Sequence, residues 1–362
     1  MAPLNSTLLL VRGSALHNEI RAGLVVAPVS FNQDVKALVP DKSVSPKYLT
    51  FYILGMKDAL LKLVSSAGNS AGVLDTELVK NFKFLRPELE EQKAIAKALS
   101  DVDELIASLE KLIAKKRDIK TATMQQLLTG KKRLPGFGEG KGYQQTELGE
   151  IPEDWIITKL GDLFEITSSK RVFQSEWKNR GIPFYRAREL AVLGENGKVE
   201  NDLFITQGMY DSFKKQYGVP EVGDMLVTGV GTLGKTYVVR DEREFYFKDG
   251  NIIWFKMSGK VAAEYIDQLF KTPTVIKQIS DSSAGTTVGT YTITDANNTL
   301  IPLPSSDEEQ MGIGRVLADM DADIFCLRER LEKTKDIKQG MMQELLTGRT
   351  RLVDVTEQAK AA

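Results

Sequence analysis

Glu91-Gln92-Lys93-Ala94-Ile95-Ala96-Lys97-Ala98-Leu99 returns 218 residues later as Glu309-Gln310-Met311-Gly312-Ile313-Gly314-Arg315-Val316-Leu317. The correspondence runs on without a gap, Asp118 opposite Asp336 and Gly130 opposite Gly348, so residues 91–134 and 309–352 are one segment written twice. Both copies close on the same words, Leu127-Leu128-Thr129-Gly130 and Leu345-Leu346-Thr347-Gly348. A solenoid repeats every ~20–50 residues, so a period this long is the duplication of a whole module. It predicts internal pseudo-two-fold symmetry.

Within the first copy, Ile95, Leu99, Val102, Ile106, Leu109 and Ile113 alternate spacings of four and three; Ile313, Leu317, Met320, Ile324, Leu327 and Leu331 repeat the pattern. Such a seam, flanked by charge and free of proline, is that of a long coiled-coil helix. Glutamates near each start and glycine at each end are boundary signals. A helix of about forty residues is ~60 Å long. So narrow an apolar stripe needs a helical partner, and the symmetry predicts that the two helices pack antiparallel on each other. Apolar residues beyond the seam, Met124, Leu127, Leu128, Met342, Leu345 and Leu346, are expected to cap the pair or to dock another protein.

The bulk composition excludes several classes. Forty-eight Lys+Arg balance 49 Asp+Glu, so any claim on nucleic acid must rest on a local patch. One cysteine, Cys326, and one histidine, His17, exclude a disulfide framework and a Cys/His zinc site. No apolar run reaches the ~18 residues of a membrane span, and the expectation is a cytoplasmic protein with no bound metal or cofactor. Cys326 is expected to be a packed thiol within the second helix. Asp101, Asp103, Asp319 and Asp321 are read as a solvated helix flank.

Between the helices, the Gly-rich run 135–142 is a linker. The following domain mixes strands and helices: a buried strand over 224–228, a hairpin around Asp249-Gly250, and a short helix over 262–270. Ser65-Ser66-Ala67-Gly68 matches Ser282-Ser283-Ala284-Gly285, and Pro87 matches Pro304. The N-terminal domain therefore reads as a shorter relative of the second. Its start falls opposite about Tyr217, and nothing ahead of the first helix corresponds to 148–217.

Gly229-Val230-Gly231-Thr232-Leu233-Gly234-Lys235-Thr236 fits the phosphate-loop pattern GxxxxGK[ST]. That mechanism needs a helix next, with its N-terminus on the phosphates. Tyr237-Val238-Val239 follows instead, which is strand chemistry. The expectation is a tight glycine turn, with a P-loop nucleotide-binding protein kept as the alternative, and a helical scaffold with no DNA role as a third reading.

The ordered duplication resembles the specificity subunit of type I restriction-modification systems. The resemblance is carried by Ile151-Pro152-Glu153-Asp154-Trp155, Leu160-Gly161-Asp162, the Gly229–Lys235 loop, Ile301-Pro302-Leu303-Pro304, the Glu-Gln helix starts and the paired Leu-Leu-Thr-Gly endings. It implies an α+β chain of mixed target-recognition domains joined by two long antiparallel coiled-coil helices. The implied division is a partial first recognition domain at 1–88, spacer helix 89–134, linker 135–147, complete second recognition domain 148–306, spacer helix 307–352 and tail 353–362. The implied function is non-catalytic: reading a bipartite site on double-stranded DNA and docking two modification (methyltransferase) subunits, with a restriction subunit as a further partner. On this resemblance the first recognition domain is N-terminally truncated.

Sequence is read at base edges while phosphate contacts set position. Lys170, Arg171, Lys178, Arg180, Arg186 and Arg188 outnumber Glu165, Glu176 and Glu189 across one stretch. Arginine forks onto guanine and lysine holds phosphate. With the family behind them, these six, Lys235, the hydroxyls Ser283, Thr286 and Thr287, and Tyr291 form the expected DNA-binding set.

Overall fold

The computed structural model describes residues 1–67, 71–256, 261–283 and 289–352. They divide into two compact units, one made of residues 1–113 with 327 onward, the other of 114–326. The division passes through both long helices, Leu89–Leu127 and Asp307–Leu345, each of 39 residues. Each unit therefore holds the head of one helix and the tail of the other. No described helix is long and apolar enough to cross a membrane.

The antiparallel pairing appears inside each unit. In the second, Lys116 binds Asp323 (2.7 Å) and Lys120 binds Asp321 (2.6 Å). Further on, Leu127 and Leu128 share a core with Ile313 and Leu317. Numbers rise along one helix as they fall along the other. In the first unit, Asp103 binds Lys338 (2.6 Å), and Ile95 and Leu99 pack with Met342, Leu345 and Leu346. Ile95, Leu99, Leu109, Ile113, Ile313, Leu317, Ile324 and Leu331 are buried, while Val102, Ile106, Met320 and Leu327 are half-buried. Full burial of one such side chain stabilises by about 1.5–3 kcal/mol.

Two expectations fail on this surface. Asp103 and Asp321 are not a solvated flank, since each reaches a lysine of the facing helix. Burial opposes the ionisation of Asp321, but Lys271 and Lys120 outweigh it and hold the carboxyl below its ordinary value. Cys326 is exposed rather than packed, because it lies beside the seam position Leu327 and not on it.

Each helix pair is closed by an arginine from beyond the partner helix's end. Gly130 and Gly348 take positive φ (69° and 72°), the left-handed turn glycine adopts without strain. The returning chain carries Arg133 back to Glu309 (Nε to Oε1 2.5 Å, Nη2 to Oε2 2.6 Å) and Arg351 back to Glu91 (2.6 and 2.5 Å). Both glutamates are 1% exposed. Arg133 also forks onto Asp154 (2.8 and 2.9 Å), and its guanidinium lies 5.5 Å from the Trp155 ring centre. The Trp155 indole donates to Glu309 as well (3.3 Å).

The duplication goes deeper than its sequence words. In the first unit, strand Thr7–Leu10 lies between Ala22–Leu24 and Val35–Leu38, all antiparallel. In the second, Met225–Thr228 lies between Thr236–Val238 and Ile252–Lys256, again antiparallel, with Glu165–Thr167 added at the edge. Helix Pro46–Gly55 answers Ala263–Leu269. Helix Thr76–Lys80, capped by Asp75, answers Ile293–Asn298, capped by Thr292. Tyr48 donates to Leu85 O and Tyr265 to Pro302 O, both at 2.9 Å, and burial raises both phenols above their ordinary value.

One matched pair of words is not a structural match. Residues 64–67 form a strand, whereas Ser282 and Ser283 end helix Pro273–Ser283. The hairpin at Asp249-Gly250 is also corrected. Tyr246–Phe247 pairs in parallel with Ile182–Tyr185, while Ile252–Lys256 joins the other sheet. The turn thus separates two sheets: Phe247 and Trp254 share one core across it, while Tyr246 on one side and Ile253 and Phe255 on the other enter different cores.

Removing one partner of a buried ion pair leaves the other charge uncompensated, at about 3–5 kcal/mol. Arg133→Ala should destabilise the second unit by about that amount, measured by hydrogen exchange at its helix ends under increasing urea. Arg351→Ala should cost the first unit less, since the Arg351 side chain is 49% exposed against 11% for Arg133. The hydrogen bonds from Arg133 hold the Asp154 carboxyl below its ordinary value. Its contribution is present above the unfolded carboxylate value, about pH 4, and disappears as pH falls through the lower folded value.

Candidate nucleic-acid interface

Strand Ile182–Tyr185 positions the basic stretch. It lies between Phe204–Ile205, antiparallel, and Tyr246–Phe247, parallel. Its alternate residues Ile182 and Phe184 enter a core with Val172, Ile205, Tyr210, Val219 and Tyr246. The loop leading into it, 168–181, is pinned rather than free. Ser168 donates to Ile252 O (2.8 Å), Ser169 to Phe247 O (2.6 Å), and the Lys170 amide to the Tyr246 hydroxyl (2.9 Å). The Lys178 and Phe204 backbones exchange two hydrogen bonds (2.8 and 2.9 Å). Gly181 has φ +131°, and a Cβ there would lie 2.3 Å from Ile205 O. Only glycine fits that approach.

The six expected cations separate by their company. Arg186 forks onto Glu189 (2.7 and 2.9 Å) at the start of helix Ala187–Asn196. Burial opposes the charge on Glu189, but Arg186 outweighs it and lowers the carboxyl. Arg171 pairs with Asp249 (2.8 Å), and the Lys170 ammonium lies 5.3 Å over the Tyr217 ring. Lys178, Arg180 and Arg188 are exposed and form no ion pair among the described residues. These three present net positive charge from a rigid loop and a helix start.

Sequence reasoning passed over the aromatics interleaved with these cations. Phe173 is 61% exposed two residues after Arg171. Trp177 is half-buried beside Phe184, with the Lys248 ammonium 5.6 Å over its ring. The signal was present, since Lys170-Arg171-Val172-Phe173 and Trp177-Lys178 alternate charge with rings, a pattern suited to stacking on bases.

Elsewhere the structure corrects the expected set. Tyr291 is 2% exposed, and its hydroxyl shares a 2.7 Å hydrogen bond with Thr299. It is a core residue, drawn in because residues 289–291 close against Gly229. Ser283 donates to Ser280 O (2.8 Å) at the end of its helix. Thr286 and Thr287 lie outside the described residues. Leu127, Leu128, Met342, Leu345 and Leu346 are buried and Met124 is half-buried. They fill the cores where helix ends meet their own unit, so they present no docking face.

The glycine loop is a hairpin turn between strands Met225–Thr228 and Thr236–Val238. Gly231 and Gly234 take φ +79° and +72°. The turn's amides point inward: Gly234 donates to Thr228 O (2.9 Å) and Lys235 N to Thr228 Oγ1 (2.9 Å). The Lys235 ammonium pairs with Glu195 (2.7 Å). No helix N-terminus follows, so the phosphate-cradling geometry of a P-loop is not built.

Tyr291→Phe should lose about 0.5–1.5 kcal/mol of stability for its buried hydrogen bond, read by thermal denaturation, and leave any affinity for DNA unchanged.

Residues 18–116 and 152–335 match the sequence profile described as the type I restriction modification DNA specificity domain. The chain is 30% identical over 327 residues to the MjaVIII type I restriction enzyme specificity subunit of Methanocaldococcus jannaschii, covering 88% of this chain and 73% of that one. It is 26% identical over 264 residues to the EcoBI specificity subunit of Escherichia coli, covering 68% and 52%. Its fold is similar to the crystal structure of a type I restriction-modification S subunit from M. genitalium, with TM-score 0.62 and 16% identity, over 96% of this chain and 84% of that one.

Proposed function

The chain belongs to the type I restriction-modification DNA specificity family, and from that premise we propose that it reads DNA sequence for such a complex without catalysing a reaction itself. The observation that carries the reading is the pinned loop ahead of strand Ile182–Tyr185, which holds Lys178 and Arg180 exposed and unpaired, with Arg188 on the helix start beyond. Arginines held this way suit bidentate readout of guanine, and the lysine suits a phosphate. Lys170, Arg171 and Lys235 are a second tier, because each already has an aromatic or acidic partner. The reading domain is residues 148–306, the spacer helices are 89–134 and 307–352, and residues 1–88 correspond to part of a second reader.

Modification subunits need a face on the helices, and the buried tail residues do not supply one. Leu105, Leu112 and Ile119 recur every seven residues on the first helix and are 40%, 40% and 46% exposed. An apolar line at heptad spacing, outside the internal seam, suits a partner helix. We assign the docking of a modification subunit to it.

Replacing Lys178, Arg180 and Arg188 together by Gln should weaken DNA binding and reduce the slope of log affinity against log salt by about 1 for each phosphate no longer neutralised. Binding that keeps both its strength and its slope would remove the loop from the interface. Leu112→Asp should reduce recovery of the modification subunit in co-purification while leaving the circular dichroism spectrum intact. Unchanged recovery would displace the docking face from this line.

A further inference from the structure

Among the described residues Phe173 is the most exposed aromatic, at 61% against 47% for Tyr143, yet the chain on both sides of it is fixed. Val172 is buried in one core with Ile182, Phe184 and Ile205. Arg171 pairs with Asp249, and the Lys170 amide donates to the Tyr246 hydroxyl. Beyond the ring, Trp177 packs against Phe184, and two backbone hydrogen bonds tie Lys178 to Phe204. The Phe173 amide donates to Glu176 Oε2 (2.7 Å) and the Glu176 amide to Phe173 O (2.9 Å), which closes one tight turn over 173–176. Glu176, which by sequence counts against the cations, is thus engaged by backbone. Val172 takes the inward place, and the ring beside it is presented to solvent on a rigid mount.

The company of the ring says what covers it. Lys170, Arg171, Gln174, Ser175, Lys178 and Arg180 are its exposed neighbours along the chain. One apolar ring among cations and amides is a poor protein contact, since the centres of such interfaces are depleted of charge. It suits DNA, where the cations meet phosphates and the ring meets bases. Phenylalanine has no polar atom with which to read a base edge. In a duplex the base faces are already stacked, so a ring reaches one only by parting two pairs. A mobile loop would yield before the stack did; this one is tied at both ends.

We infer that Phe173 is a wedge that enters between two base pairs of the duplex, next to the bases and phosphates taken by Lys178 and Arg180. The inference rests on the DNA reading proposed above and adds a residue that acts by deforming the site. The inserted ring kinks the duplex by about 20–90°. Pyrimidine–purine steps part most readily, so the wedge confers a sequence preference at a step where no side chain hydrogen-bonds a base.

The test uses the full chain with its modification subunit. A pool of random duplexes is selected on the wild-type complex, and the recovered sequence is rebuilt with 2-aminopurine at each adenine in turn and a dye at each end. Expected are a rise in 2-aminopurine fluorescence beside one step and a shorter end-to-end distance, both lost with Phe173→Ala and kept with Phe173→Leu. Phe173→Ala should bind about tenfold more weakly. In a repeated selection it should lose the preference at that step and keep the remaining bases. Positions that stay bright in Phe173→Ala belong to the modification subunit, and if all of them do, the wedge is overturned. It is overturned too if no position brightens and replacing one thymine by uracil weakens the wild type but not Phe173→Ala, which makes the ring a methyl contact. A complex that selects no sequence overturns the DNA reading and the wedge together; a selected sequence indifferent to Phe173 overturns the wedge alone.

Discussion

A guanidinium set against a buried carboxylate decides how the two long helices meet. Glu91 and Glu309 lie in the opening turns of their helices, where a negative charge is favoured, yet both are 1% exposed. A carboxylate so deep needs a cation with good geometry. Each receives one only because the opposite helix ends on a glycine and turns back to deliver Arg351 or Arg133. A slip of either helix would strand two buried charges at once. The leucine seam alone tolerates neighbouring registers; the two arginines do not. Asp103 with Lys338 and Asp321 with Lys120 repeat the same logic one step inward.

That constraint is symmetric while its surroundings are not. Asp154 and Trp155 complete the second site and bring the Arg133 side chain to 11% exposure, against 49% for Arg351. The segment that carries these residues also leads toward the loop of Lys178 and Arg180, so the covered end and the basic surface belong to one stretch of chain. In the first unit the three-stranded sheet, the capped helix and the tyrosine anchor are all built without that stretch. The inner half of the module is therefore held by its own packing and hydrogen bonds.

What the sequence disclosed was whatever repeats locally. The spacing of Ile95, Leu99, Ile313 and Leu317 gave the helices, and the constant offset gave their symmetry, hence the antiparallel pairing. Strand chemistry after Lys235 exposed the false phosphate loop. What stayed hidden depended on partners far along the chain. Asp103 reads as solvated until Lys338 is beside it. Leu127 and Leu346 read as a surface until their own unit's core arrives. Tyr291 reads as a DNA contact until Thr299 takes its hydroxyl. Asp249-Gly250 has the composition of a hairpin, and no local rule reports that its two arms enter different sheets. The six cations were legible as a cluster, but which of them keep free charge was settled by Glu189 and Asp249.

The division of the units carries a consequence for biosynthesis. Residues 114–326 are contiguous, so that half of the molecule has all its parts once Cys326 has left the ribosome. The other half does not. Leu99 and Tyr48 wait for Met342, Leu345 and Leu346, which at about 5–20 residues per second emerge some tens of seconds after them. Throughout that interval the apolar face of the first helix, with Tyr48 and Tyr52 beside it, lacks its tail-helix partners on the nascent chain. Residues 1–113, made before the second unit, close after it, and a chaperone that shields them has a defined window in which to act.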